Sequence, residues 1–120
     1  MKKTAHQVLK KQDSAAASSA LYLSFCRALD KYCEQIGVNS RRFSAVRILH
    51  DAACNTLAGM HIVTIAQRRH MARMERDIPK MFEALIKISA TDGMLHTVER
   101  MSAMSLAQVS SAVAEKSRKR

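Results

Sequence analysis

The sequence predicts an all-α protein of four to five helices. Three observations carry this. The 120-residue chain has only three glycines and one proline, so little in it breaks a helix. Apolar residues make up 48% of it and recur at three- and four-residue intervals over most of its length. Gly37, Gly59 and Gly93 each fall where one periodic stripe stops, the place where a left-handed residue ends a helix at least cost.

The first twelve residues, with Lys2, Lys3, Lys10 and Lys11 and little apolar character, read as a flexible basic arm. Residues 13–115 read as one helical domain, within the size that buries a modest core. Asp13 is a cap for a long first helix, with Ser18 or Ser19 as later starts. Leu21, Phe25, Ala28, Tyr32 and Ile36 form its stripe, which stops at Gly37. Asn39 or Ser40 caps a second helix, whose stripe is Phe43, Val46, Leu49, Ala53 and Leu57. After Gly59, a helix runs to Arg76 carrying Arg68, Arg69, Arg73 and Arg76, with Met71 and Met74 as apolar contacts. Asp77 caps the next helix, Pro79 sits in its first turn, and Ile78, Met81, Phe82, Leu85 and Ile88 face inward. Asp92-Gly93 is a turn. A last helix runs from about Met94 to the Glu115 region, with Leu95, Val98, Ser102, Leu106, Val109 and Val113 on one face. Residues 116–120 form a solvated basic tail.

Twenty Lys and Arg against ten Asp and Glu give a formal net charge of +10. A field of that size attracts phosphate backbones, acidic proteins or anionic membranes, and composition alone does not choose among them. No transmembrane span is expected, and the start lacks the layout of a signal peptide, so the expected location is cytoplasmic. Cys26, Cys33 and Cys54 have no framework spacing and read as reduced thiols. Neither Cys-x-x-Cys nor His-x-x-x-His occurs, so no metal site is expected; His50 and Cys54 would supply only two ligands. There is no nucleophile elbow, phosphate-binding glycine loop or pair of carboxylates on one face, so neither an enzyme nor a cofactor is expected.

The stretch from Tyr32 to Leu49 gives the most specific reading. Cys33 is a small residue four before Gly37, Tyr32 and Ile36 flank it, and Val38 can plug the inside of a turn. Phe43 and Val46, six and nine after the glycine, aim the second helix at the core. This pattern, over residues 29–49, resembles the helix-turn-helix of DNA-binding proteins. The resemblance implies a helix-turn-helix-like hairpin over residues 13–58, with the helices of 60–115 packing in a bundle or dimer seam. It also implies a transcriptional regulator that reads the major groove of double-stranded DNA with the helix starting at Ser40, with a second regulatory protein as a further candidate partner. A homodimer is expected on other grounds: the Met-rich seams, and more apolar stripe from Ile62 to Val113 than one small core needs.

On that reading Asn39 and Ser40 position the backbone, Arg41 and Arg42 contact bases or phosphates, Ser44 reaches a base edge and Arg47 meets a phosphate. Ala45 and Ile48 then lie outward. Arg68 and Arg69 head a run of arginines that follows a phosphate backbone or forms a solvated face. A helix-turn-helix needs a bend near Arg27 to Asp30; without it, residues 13–58 are a plain αα-hairpin. Two alternatives stand beside this. One is a helical adaptor or chaperone that binds an acidic protein. The other is a ribbon-helix-helix DNA binder through residues 72–104, which needs a strand over 72–78.

Overall fold

A computed structural model describes residues 2–37, 43–58, 60 and 62–118, with side chains over 18–37, 43–58, 60 and 62–115. Six helices occur among the described residues: α1 (Lys2–Ile36), α2 (Phe43–Leu57), α3 (Ile65–Arg76), α4 (Ile78–Asp92), α5 (Met94–Met101) and α6 (Leu106–Arg118). The all-α expectation holds; the count exceeds the expected four to five. No described residue is in a strand.

α1 is longer than expected. It begins at Lys2, ahead of the expected cap at Asp13, so the backbone of the presumed arm is helical. No glycine or proline occurs between Lys2 and Ile36, and the helix runs without interruption through Arg27 to Asp30. No break in α1 falls at Arg27 to Asp30, where a helix-turn-helix needs its bend, and α2 packs on α1. Gly37 ends α1 at φ 70°, its N–H bonded to the Cys33 carbonyl at 2.9 Å. Phe25 and Leu29 are α1's fully buried anchors.

α2 is central. It packs on α1, α4, α5 and α6. Its buried residues are Ser44, Ala45, Ile48, Leu49, Ala52, Ala53 and Leu57. This face is rotated from the expected one: Phe43, placed inward by its periodicity, is 65% exposed, while Ala45 and Ile48, placed outward, are fully buried. The reason is the number of neighbours. A helix enclosed on several sides buries a wide arc, and the small side chains of Ala45, Ala52 and Ala53 let other helices approach closely.

α3 begins later than expected, at Ile65 rather than Met60. Thr64 caps it through a reciprocal box: the Gln67 N–H donates to Thr64 Oγ1 at 3.1 Å, and the Thr64 N–H donates to Gln67 Oε1 at 2.8 Å. Met71 and Met74 are its buried contacts, set on α1 and α4. Residues 72–76 belong to α3 and 78–92 to α4, so the strand needed for a ribbon-helix-helix is not there. Asp77 joins the two helices with a backbone hydrogen bond but caps neither with its side chain, and Pro79 occupies α4's first turn as expected. Ile78, Met81, Phe82, Leu85 and Ile88 are all buried, as expected.

The expected last helix is two. α5 stops at Met101, and Ser105 starts α6 with a second box: the Ser105 N–H donates to Gln108 Oε1 at 2.8 Å and the Gln108 N–H to Ser105 Oγ at 3.3 Å. The break turns Met101 and Thr97 into the core and leaves Leu95 73% exposed. Leu106, Val109 and Val113 are buried as expected.

One core joins Phe25 and Leu29 of α1 to the buried residues of every other helix. It absorbs the apolar stripe from Met71 to Val113 within one chain. The surplus of stripe that suggested a dimer seam is therefore largely used inside the fold. No helix among the described residues is long and apolar enough to cross a membrane.

Candidate nucleic-acid interface

The clearest accumulation of one charge on the described surface is on α3. At 100° per residue, Arg68, Arg69, Arg73 and Arg76 lie within an arc of about 140°, roughly opposite Met71 and Met74. The anchoring of those two methionines sets the orientation, and all four arginines are exposed. Among the described residues, no carboxylate forms an ion pair with any of them. α3 holds a single acid, Glu75, which is half-buried. From Arg68 to Arg76 the face runs about 12 Å along the helix, at 1.5 Å per residue. Ile65, 69% exposed, lies within the same face, and Ile62 just before it is 72% exposed.

Elsewhere the fold is less basic. Over residues 77–115, Lys80, Lys87 and Arg100 are outnumbered by Asp77, Glu83, Asp92, Glu99 and Glu115. Arg100 lies 3.7 Å from Asp92. The positive excess therefore resides in α3 and in the sequence at 2–11, 41–42 and 116–120.

The sequence-predicted residues divide three ways. Asn39, Ser40, Arg41 and Arg42 lie outside the described residues, as does Val38. On α2, Ser44 is buried, so it is not placed to reach a base edge as expected. Arg47 is exposed but sits 3.9 Å from Asp51, four residues on, so its charge is partly answered. Arg68 and Arg69 are exposed as expected and stand with Arg73 and Arg76. The last two were legible in the sequence from the four- and three-residue steps Arg69, Arg73, Arg76, though the predicted site stopped at Arg69.

A second surface feature is an open groove of about 730 Å³ between α4 and α6, lined by Lys80, Glu83, Ala84, Lys87, Val113 and Ala114 among others. Its rim carries both signs of charge and its floor is apolar.

No protein-family model, curated protein or solved structure matches this chain.

Proposed function

We propose that the protein binds double-stranded DNA mainly through phosphate contacts, with the arginine face of α3 as the principal surface. The observation that supports this is the set of four exposed arginines, anchored from behind by Met71 and Met74 and without a carboxylate partner among the described residues. A face about 12 Å long spans the axial rise of three to four base pairs at about 3.4 Å each. The unbroken α1 and the burial of Ser44, Ala45 and Ile48 favour phosphate contact over base reading by α2. Major-groove reading by Asn39, Ser40, Arg41 and Arg42, in a homodimeric transcriptional regulator, is the finer form of the same reading. It is supported by the turn at Gly37 and by two arginines just before α2.

Salt dependence tests it. Binding to a duplex is measured by fluorescence anisotropy at several salt concentrations, for the wild type and for Arg68→Ala/Arg69→Ala/Arg73→Ala/Arg76→Ala. Each lost phosphate contact lowers the slope of log affinity against log salt by about 0.9. An unchanged slope, or no wild-type binding at about 50 mM salt, where phosphate contacts are strong, rejects the proposal. Arg41→Ala/Arg42→Ala tests the finer form: base reading predicts lost sequence preference rather than a uniform loss of affinity.

The rival is an adaptor that binds an acidic protein segment. The groove between α4 and α6 is where such a segment would dock, with Ala84, Val113 and Ala114 for its apolar residues and Lys80 and Lys87 for its acids, although Asp77 and Glu83 also line it. Lys80→Glu/Lys87→Glu separates the two readings. It abolishes binding of such a segment and leaves the α3-dependent part of the salt slope in place.

A further inference from the structure

The arginine face of α3 begins with apolar residues that the core does not use. Ile65, the first residue of α3, is 69% exposed, and Ile62, three residues ahead, is 72% exposed. Two features set them apart from the other exposed apolar side chains, Leu23 and Leu95 among them. At 100° per residue, Ile65 falls in the middle of the arc that Arg68, Arg69, Arg73 and Arg76 span. Ala72, small and exposed, lies on nearly the same line two turns on. Neither isoleucine has the usual task of an apolar residue at a helix start. That task is a staple between the residue before the cap and the fourth residue of the helix. With Thr64 as the cap, those positions are Val63 and Arg68, so Ile62 and Ile65 fall outside it. The reciprocal box of Thr64 and Gln67 fixes the backbone at Ile65, and a β-branched side chain is stiff at χ1.

We propose that Ile65, with Ile62, is an apolar wedge that enters a base step from the minor groove and kinks the duplex held by the arginine face. The inference rests on the DNA reading and names how that surface meets the duplex. Charge complementarity selects the occupant. Four arginines without a carboxylate partner among the described residues stand behind an apolar point, so a fitting ligand offers anions next to an apolar slot. A duplex does this, because phosphates line its grooves and the faces of its stacked base pairs are apolar. The minor groove is about 6 Å wide and does not admit a whole helix. Only the tip of α3 can enter it, and Ile65 and Ile62 stand at that tip. The arginines then trail over the flanking phosphates for about 12 Å, and Ala72 lets the backbone come close between them. Prying a step apart costs stacking, least at flexible pyrimidine–purine steps. The extra surface that a bent duplex lays against the arginines offsets that cost. Preference for such steps then needs no hydrogen bond to a base edge.

The full chain is titrated at about 50 mM salt into two duplexes, one with donor and acceptor dyes at its ends and one with 2-aminopurine at a central TA step. The wild type is expected to shorten the end-to-end distance, as a kink of about 20–90° requires, and to raise the 2-aminopurine emission as the step unstacks. Ile62→Ser/Ile65→Ser is expected to lose both signals. Its affinity is expected to move by no more than about tenfold, because the unstacking cost disappears with the contacts of the wedge. Both residues are exposed, so the core stays intact, and circular dichroism checks the helices. Ile65→Phe is expected to keep both signals. Wild-type binding with no bend overturns the wedge and leaves the phosphate reading standing. A bend unmoved in Ile62→Ser/Ile65→Ser does the same. Absence of wild-type binding to either duplex overturns both readings. Binding instead to vesicles of phosphatidylserine and phosphatidylcholine, lost in the same variant, overturns the wedge and assigns the isoleucines to an anionic lipid surface.

Discussion

Thr56 of α2 holds the start of α6: its Oγ1 accepts the Leu106 N–H at 2.8 Å while its own proton goes to the Ala52 carbonyl at 2.7 Å. Leu106 is fully buried, and its N–H is one of the orphan donors at a helix start. Beside it, Asn55 Nδ2 donates to the carbonyls of Ser102 and Met104 at 2.9 and 3.0 Å. Two adjacent residues of α2 thus pin the turn that divides α5 from α6.

Thr56→Val keeps the shape and removes the acceptor. It is expected to cost about 1–3 kcal/mol, because the Leu106 N–H loses its partner in a partly buried place. Thr56→Ser is expected to recover most of this. Asn55→Ala is expected to cost less, about 0.5–1.5 kcal/mol, since Asn55 is exposed and water can take over its carbonyl partners. Urea unfolding of the three variants gives the order directly, and equal costs for Thr56→Val and Asn55→Ala would contradict it.

The face of α2 is tested by a pair of truncations. Ile48 is fully buried and Phe43 is 65% exposed. Ile48→Ala is expected to cost about 2–5 kcal/mol through lost burial and the cavity left behind. Phe43→Ala is expected to stay within about 0.5 kcal/mol, despite removing the larger side chain. Denaturant midpoints decide it, and a reversed order would restore the inward Phe43 of the helix-turn-helix pattern.

That pair also marks where sequence reading succeeds and fails. Phe43 and Val46 dominate a search for large apolar residues, so the periodicity settles on them. Ala45 and Ala52 carry little hydrophobic weight, yet with Ala53, which the expected stripe includes, they are what a helix enclosed by four others needs. The stripe of α4 was fully legible because one large-residue face suffices there, and Pro79 fixed its start. The division of α5 from α6 was legible too, in Ser105-Leu-Ala-Gln108, which repeats the box of Thr64-Ile-Ala-Gln67. A stripe that continues through Ser102 concealed it. Of the interface, the arginine run of α3 could be read from its spacing, and Met71 and Met74 said which way it faces. The 3.4 Å contact of Cys26 Sγ with His50 Nδ1 spans 24 positions and has no local signature.

Gly37 is a position where the backbone itself demands glycine. Its φ of 70° is left-handed, and an added Cβ would meet nothing within 4 Å. The cost of Gly37→Ala is therefore conformational rather than a clash. About 1–2 kcal/mol of left-handed strain is offset by about 0.4–1 kcal/mol from a stiffer unfolded chain. A net loss of about 1 kcal/mol is expected in thermal unfolding, and a smaller one for Gly37→Asn, since asparagine tolerates this region better. Stabilisation by alanine would mean that the α1–α2 turn can adopt another path.

Stability is expected to fall at alkaline pH for a reason specific to α1. Burial holds the thiols of Cys26 and Cys33 above their ordinary 9.0, and the hydrogen bond to Cys26 holds the Tyr22 hydroxyl above its ordinary 10.0. In each case the folded chain keeps its proton to higher pH than the unfolded chain does. Between the two values the unfolded state has released protons that the folded state still binds, so stability decreases with rising pH. The contribution is complete below about pH 9 and is lost as pH rises through the folded values. The net charge of +10 works in the opposite direction, because deprotonating lysines at high pH relieves self-repulsion. Comparing the wild type with Cys26→Ala/Cys33→Ala isolates the thiols, since the lysine term is common to both. In reducing buffer, urea midpoints measured from pH 7 to 10.5 are expected to fall more steeply for the wild type. Parallel profiles would show that the thiols ionise alike in the folded and unfolded chains.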